Sequence, residues 1–129
     1  MLILSVSVKE GILRVHPDLA GRLADQNALT EESTNEQQSA GLNSLSSEEK
    51  QHLQTRNEAY KQKFGFPFVI CARENKKESI MRGIKERFEN DKQSETLKGV
   101  EEVKKIAWFR LSDIVSEDQK PLIPPLANI

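Results

Sequence analysis

Residues 46–65 read SSEEKQHLQTRNEAYKQKFG, and this stretch indicates the fold class of the chain. Ser46 followed by Glu49 three positions later is a capping-box pattern, which satisfies the first free backbone N–H groups of a helix. Side chains suited to one buried face then recur at steps of three or four residues: Leu53, Asn57, Tyr60 and Phe64. Gly65 is a favourable residue for ending such a helix. The spacing therefore predicts a helix over 46–64.

Three further helices are predicted on either side of this one. Residues 31–40 follow Thr30, a good N-cap, and have acidic residues in the first turn, where the helix dipole favours them. Residues 77–90 carry one apolar stripe: Ile80, Ile84 and Phe88, with Met81 beside it. Residues 94–115, with Ser94 as the predicted cap, carry a longer stripe: Leu97, Val100, Val103, Ala107, Leu111 and Ile114. The predicted fold class is all-α.

The segment FPFVICA at residues 66–72 is ambiguous from its composition. Its propensity favours a buried strand, whereas Pro67 argues against a central strand. Cys71 is the only cysteine in the chain, so no intrachain disulfide can form and a reducing compartment is expected. The apolar neighbours Ile70 and Ala72 favour a buried structural thiol over a nucleophile.

Composition excludes several classes of function. The 129 residues suffice for a single domain with one core. A net charge of −1 provides no basic field for nucleic acid, and no apolar run approaches the length needed to cross a bilayer. The sequence contains no Gly-rich phosphate loop, no Cys/His cluster, no nucleophile elbow and no cofactor-linked lysine motif. Any chemistry is therefore expected to need neither a cofactor nor a metal.

His16 is the leading candidate for acid–base chemistry. Histidine titrates near neutral pH, and Pro17 limits the backbone freedom of the residue that it follows. Glu36 lies on the predicted helix 31–40, whose inward side is unusually polar, and its carboxylate could point toward the imidazole. The residues alone leave another interpretation open, in which His16 is a turn residue and Glu36 an unrelated surface acid. His52 has polar neighbours and is predicted to be a solvated surface residue.

Four separated blocks resemble the 2-oxo-4-hydroxy-4-carboxy-5-ureidoimidazoline (OHCU) decarboxylase family. The blocks are HPDLAG at 16–21, the Ser33/Glu36/Gln37 helix, KFGFPFVICAR at 63–73 and EVKKIA at 102–107. They occur in the family's order, and FGFPF is the most specific of them. The resemblance runs from about residue 9 to residue 115.

The resemblance implies a fold, an activity and a set of site residues. The implied fold is a single-domain helical bundle in which the FGFPF loop packs tightly and lines the pocket. The implied activity is a cofactor-free conversion of OHCU to (S)-allantoin and CO2 in urate degradation. The implied catalytic residues are His16, as general acid, and Glu36, which would orient the substrate. The implied substrate-binding residues are Pro17, Ser33, Phe68, Ile70, Ala72 and Arg110. A surface role for Arg110 and simple helix capping by Ser33 remain open alternatives.

The resemblance also bears on organisation and partners. It implies an atypical N-terminal stub at 1–8, a domain at 9–115 without the family's first helices, and an extended or disordered tail at 116–129. Without those helices, part of the apolar stripe around Val100, Val103 and Ala107 is expected to be exposed. The implied partners are a small-molecule substrate and a second copy in a homodimer, with no nucleic acid and no membrane. The implied location is peroxisomal, or cytosolic because the chain does not end in a Ser-Lys-Leu type of signal. The rival hypothesis is a truncated, non-catalytic binding or interaction relative.

Overall fold

The computed structural model describes residues 5–21 and 28–118, and within these ranges the chain is all-α. Five α-helices lie in the described part: α1 (Val6–Arg14), α2 (Glu31–Ser39), α3 (Ser47–Phe64), α4 (Lys77–Arg87) and α5 (Lys92–Asp118). Short 3-10 turns occur at Leu42–Ser44 and Ala72–Glu74. The all-α prediction is confirmed, and residues 66–71 form an irregular segment rather than a strand. None of the described helices combines the length and apolarity that a membrane crossing requires.

The predicted caps of α2 and α3 are confirmed. The Thr30 hydroxyl accepts the backbone N–H of Ser33 at 3.2 Å. Ser46 and Glu49 form the full capping box, with reciprocal bonds of 3.1 and 2.9 Å. Gly65 ends α3 with φ = 81°, a left-handed conformation that costs glycine little. Local sequence therefore fixes where these two helices begin and where α3 turns into the loop that follows.

The core is built around aromatic side chains of α3 and the loop after it. Its largest buried rings are Tyr60, Phe64, Phe66 and Phe68. The Tyr60 ring lies 4.5 to 6.1 Å from the other three, in tilted or edge-on arrangements that aromatic pairs favour. Ile80 and Ile84 of α4 are buried as predicted, and Cys71 is a buried thiol, which confirms its predicted structural role.

Helix α1 corrects the sequence analysis, which predicts no helix before residue 31. Its cap is Ser5, whose hydroxyl accepts the N–H of Val8 at 3.3 Å. The short valine-rich run hides the helical period, because β-branched residues favour strands by propensity. Leu13 is fully buried against α5, where a Cβ on Gly99 would come within 2.8 Å of a Leu13 methyl group. Residues 1–4 of the predicted stub lie outside the described residues.

Helix α5 begins and ends at other residues than predicted. Asp91, rather than Ser94, is the cap, since its carboxylate accepts the Ser94 N–H at 2.7 Å. A carboxylate at this position also interacts favourably with the helix dipole. The helix continues to Asp118, three residues beyond the predicted end at residue 115, and the rest of the predicted tail, 119–129, lies outside the described residues. Helix α4 ends at Arg87, short of the predicted residue 90.

The apolar stripe of α5 is not its main buried face. The most buried side chains on this helix are instead Glu95, Thr96, Glu102 and Ile106. The stripe residues Leu97, Leu111 and Ile114 are 48, 43 and 61% exposed, while Val100 and Val103 are partly buried against the core. Carboxylates can occupy the buried face of α5 because both buried glutamates, Glu95 and Glu102, accept hydrogen bonds from donors inside the protein. The exposure expected around Val100, Val103 and Ala107 is not found, because these residues are partly buried; the exposed residues of the stripe lie at its two ends.

Candidate functional site

A small cavity of about 30 Å³ lies where the loop after α1, helix α2, the 66–72 segment and helix α5 meet. Its lining includes every site residue predicted from the sequence: His16, Pro17, Ser33, Glu36, Phe68, Ile70, Ala72 and Arg110. Four more residues line it that the sequence analysis did not assign to a site: Leu19, Gln37, Val69 and Ile106. Each of these four residues belongs to a different one of the four quoted blocks, which is the sequence signal that could have identified them. The chain thus brings four separate segments to one place.

Arg110 and Glu36 form the polar centre of the cavity. The Arg110 Nε and Nη2 atoms donate to the two carboxylate oxygens of Glu36 at 2.9 and 2.8 Å. Nη2 also lies 3.4 Å from the Ser33 hydroxyl oxygen. This is a bidentate pair, the geometry in which a planar guanidinium best matches a carboxylate. The Arg110 side chain therefore faces the cavity and does not have the surface role that the sequence left open.

The inward side of α2 supplies the polar residues. Ser33 and Gln37, four positions apart, are both buried on the same face of this helix. Gln37 uses its side-chain carbonyl to accept the N–H of Ala20 at 2.9 Å. Ser33 and Glu36 are instead directed to Arg110. One short polar helix thus holds the loop that carries His16 and also presents a carboxylate to the cavity.

The loop after His16 is fixed by side chains from two helices. Besides the Gln37 contact to Ala20, Asn57 of α3 donates to the Leu19 carbonyl at 3.1 Å. Ala20 itself has φ = 50°, a left-handed conformation that a non-glycine residue adopts only when its surroundings hold it there. These contacts satisfy the buried polar groups of the turn and limit the movement of the imidazole that precedes it.

The environment of His16 lowers its pKa from the ordinary value. Burial disfavours the charged ring and has the largest effect, the positive charge of Arg110 adds to it, and the negative charge of Glu36 opposes both. The imidazole is therefore predominantly neutral at pH 7. A neutral ring has one nitrogen that can accept a proton, so a role as acid requires that it first take a proton from the ligand.

A larger groove of about 780 Å³ shares Glu36 and Arg110 with the cavity. Arg73 and Asp113 form a second bidentate pair along this groove. The inner cavity has room for little more than water. A ligand of the size of a substituted ring therefore needs the Arg110–Glu36 pair to rearrange, and the groove offers the approach to it.

The described residues contain no group of three or more His, Cys, Asp or Glu side chains arranged to hold a metal ion. His52 is exposed on α3, as predicted.

Comparisons with known proteins agree on one family. The profile of the OHCU decarboxylase family matches residues 1–112. The chain is 49% identical over 118 residues to the 2-oxo-4-hydroxy-4-carboxy-5-ureidoimidazoline decarboxylase of Xenopus laevis, covering 92% of this chain and 67% of that protein. It is 45% identical over 109 residues to the Mus musculus protein of the same name, covering 84% and 61%. The chain thus spans about two thirds of the length of these curated relatives.

A solved structure is similar in fold. The crystal structure of an OHCU decarboxylase in the presence of (S)-allantoin matches with a TM-score of 0.71 and 27% sequence identity, covering 88% of this chain and 71% of that one.

Proposed function

The chain belongs to the OHCU decarboxylase family, and on that premise we propose that it converts OHCU to (S)-allantoin and CO2 without a cofactor. One observation carries the proposal. The half-buried imidazole of His16 lines the same cavity as the bidentate Arg110–Glu36 pair, walled by the irregular 66–72 segment. This combination of a titratable group, a cation, an anion and an apolar wall matches what the reaction requires of a protein.

The substrate itself supplies the electron sink. Its carboxylate is beta to a ring C=N bond, so the electron pair left by departing CO2 moves into the ring. The protein has to orient the carboxylate, stabilise the developing charge and move a proton to one face of the resulting enol or enamine. None of these tasks requires more than side chains that the cavity already contains.

Arg110 and Glu36 bind the substrate by exchanging partners. In the free protein each satisfies the other. The substrate offers a carboxylate and a urea carbonyl, which suit the guanidinium, and N–H groups, which suit the Glu36 carboxylate. The pair can therefore separate without leaving either charge unsatisfied. The result is a ligand held at both ends in a fixed orientation.

His16 moves the proton. Because its lowered pKa keeps the ring neutral, it accepts the proton of the substrate hydroxyl as the ring electrons rearrange. The imidazolium so formed lies near Glu36, whose negative charge stabilises it. It then delivers this proton to the ring carbon that bears the ureido group, and the ring nitrogen that received the electron pair takes one further proton from solvent. Delivery from one fixed side accounts for a single product enantiomer.

The test is the decay of freshly generated substrate, followed by circular dichroism of the chiral product. The wild-type chain should accelerate formation of the (S)-enantiomer over the spontaneous reaction. A chain that binds (S)-allantoin in calorimetry without accelerating the reaction would instead be the non-catalytic binding relative. A chain that does neither would contradict the proposal.

We further propose that the chain forms a homodimer through the exposed stripe of α5. Leu97, Leu111 and Ile114 present apolar surface along one side of this helix. Leu111 and Ile114 are one helical turn apart, and neighbouring exposed apolar side chains of this kind mark interaction sites on soluble proteins. Light scattering coupled to size-exclusion chromatography should give twice the monomer mass, and Leu111→Asp should shift it toward the monomer. A wild-type monomer at micromolar concentration would contradict the proposal.

A further inference from the structure

The wall of the cavity is irregular backbone, so something other than a helix or sheet must hold it. Residues 66–71 have no regular structure, and all of them except the partly exposed Ile70 are buried, so their backbone polar groups need partners within the protein. At the end nearest the site, the backbone N–H of Cys71 donates to a carboxylate oxygen of Glu102 at 2.9 Å. Glu102 is only 3% exposed. A buried carboxylate of α5 therefore fixes the backbone between two cavity residues, Ile70 and Ala72.

The charge of Glu102 is balanced locally. Its second oxygen lies 2.9 Å from the Lys105 ammonium, which also lies 3.4 Å from Glu74. Burying the Glu102 carboxylate is costly, and its partner Lys105 remains 45% exposed, so water weakens the attraction that would offset this cost. Stability therefore gives little reason for a carboxylate at this position, whereas the Cys71 contact gives a specific one.

Glu102 is also aligned with the site along its own helix. Glu102, Ile106 and Arg110 recur at intervals of four residues, so they lie on one face of α5. Ile106 and Arg110 both line the cavity. The same rigid helix thus carries the guanidinium and holds the opposite wall, which sets the distance between them.

We propose that Glu102 is a positioning residue for the proposed decarboxylation. By holding Cys71 it places Ile70 and Ala72 against the ligand, facing Arg110 and Glu36. The inference rests on the proposed function, because it assigns the wall a substrate to contact.

A separate contact keeps the middle of the wall in place. Arg87 donates from Nη1 to the Val69 carbonyl at 2.8 Å, and its guanidinium lies 4.4 Å from the centre of the Phe68 ring. Loss of the Glu102 contact should therefore release only the end of the segment near Cys71. The expected effect is local opening, not unfolding of the domain.

The experiment uses Cys71, the only cysteine, as a reporter. In Glu102→Ala, an aromatic disulfide reagent should label Cys71 about tenfold faster than in the wild type, which is the size expected for one lost buried hydrogen bond. KM should rise about tenfold with a smaller change in kcat, because the wall contacts substrate and transition state alike. Glu102→Gln keeps an acceptor for the Cys71 N–H, so both quantities should stay within about threefold of the wild type.

Two control variants separate positioning from stability. Glu101→Ala changes an exposed neighbour on α5 and should leave labelling and KM unchanged. Leu53→Ala removes a core side chain that does not line the cavity, so it should lower the melting temperature while KM stays near the wild-type value. A rise in KM for Leu53→Ala as large as that for Glu102→Ala would overturn the proposal.

Other results would also overturn it. Labelling and KM of Glu102→Ala at wild-type values would show that the contact does not hold the wall, and faster labelling with unchanged KM would show that the wall does not contact the substrate. If the wild-type chain has no turnover, the proposed function fails, but the affinity for (S)-allantoin replaces KM as the readout. Equal affinity of wild type and Glu102→Ala would then overturn the positioning role independently.

Discussion

Two of the arginine–carboxylate clusters among the described residues, one in the core and one at the cavity, differ in how far each is buried. In the core, Glu95 is fully buried and accepts bonds from Tyr60 at 2.5 Å, Arg87 at 2.9 Å and Asn90 at 2.8 Å. At the cavity, Glu36 binds Arg110, and the side chains of this pair remain 14 and 34% exposed.

The difference separates a structural cluster from a candidate site. Burial and the neighbouring Glu95 carboxylate raise the pKa of Tyr60 well above its ordinary value, so the phenol is a fixed, neutral donor. No side chain of the core cluster lines the cavity around His16, although Arg87 contacts Phe68 and Val69 of its wall. The Arg110–Glu36 pair borders both the cavity and the outer groove, and its contacts can be replaced by those of a ligand. Charge pairing alone therefore does not identify a site, whereas access to a ligand and a titratable neighbour do.

The largest effect is expected at the cavity. His16→Asn should lower kcat/KM by roughly 10³-fold or more, within the range for a positioned acid–base group. The melting temperature should change little, because this side chain contributes little to the core. Product circular dichroism gives the rate and thermal melts give the stability. Wild-type acceleration in His16→Asn would remove this residue from the mechanism.

The converse result is expected in the core. Glu95→Ala leaves the Arg87 charge buried without its partner, and should lower the free energy of unfolding by about 3–5 kcal/mol. Urea unfolding measures the loss. Glu36→Ala should cost much less stability, because the Arg110 side chain is one third exposed and water can replace its partner. Equal losses of stability in the two variants would mean that both clusters are structural.

The same contrast explains what the sequence could and could not predict. The capping box at Ser46 and the aromatic spacing of α3 are local signals, and the structure agrees with both. The predicted buried face of α5 is wrong. Periodicity analysis assigns charged residues to the solvent-exposed face, whereas Glu95 and Glu102 are buried. The sequence pattern of a single helix does not show that other segments supply hydrogen-bond donors to these two carboxylates.

The candidate site likewise has features that the sequence predicts and features that depend on tertiary packing. All of its predicted residues except Arg110 lie in the quoted blocks, and the structure places all of them, Arg110 included, around one cavity. The pairing of Arg110 with Glu36, 74 residues apart, could not be predicted, because it depends on tertiary packing. The lowered pKa of His16 depends on the same packing.

A smaller effect than that of His16 is expected for the carboxylate. Glu36→Gln should reduce kcat/KM by roughly 100-fold, because the amide keeps the shape but loses the charge that orients the ligand and stabilises the imidazolium. Gln38→Ala is the control, since this exposed residue lies on the same helix and lines neither the cavity nor the groove. It should change the rate little. Equal losses in both variants would point to the stability of α2.

The smallest effect is the pH dependence that the cavity imposes on His16. The neutral ring is the active form, so kcat/KM should fall about tenfold per pH unit below the pKa of His16 and level off above it. Since this pKa is lowered from 6.5, the fall should begin below pH 6.5. The unfolded chain binds the proton more tightly, so stability should also decrease as the pH falls from about 6.5 through the folded pKa. His16→Asn should remove this component of the stability profile.

Arg110→Gln sharpens this last prediction, because it changes the charge next to the imidazole without replacing it. The positive charge of Arg110 lowers the His16 pKa and the negative charge of Glu36 raises it, so loss of Arg110 should move the pKa upward on both counts. NMR titration of the imidazole should show the shift directly, with the His52 signal assigned by His52→Asn. An unchanged titration would mean that the guanidinium and the imidazole do not interact. Substrate binding at Arg110 would then not be coupled to proton transfer at His16. Tyr60→Phe in the core cluster keeps the ring and removes only its bond to Glu95, and it should leave the His16 titration where it is because Tyr60 does not line the cavity. A shift there of equal size would end the distinction between the two clusters.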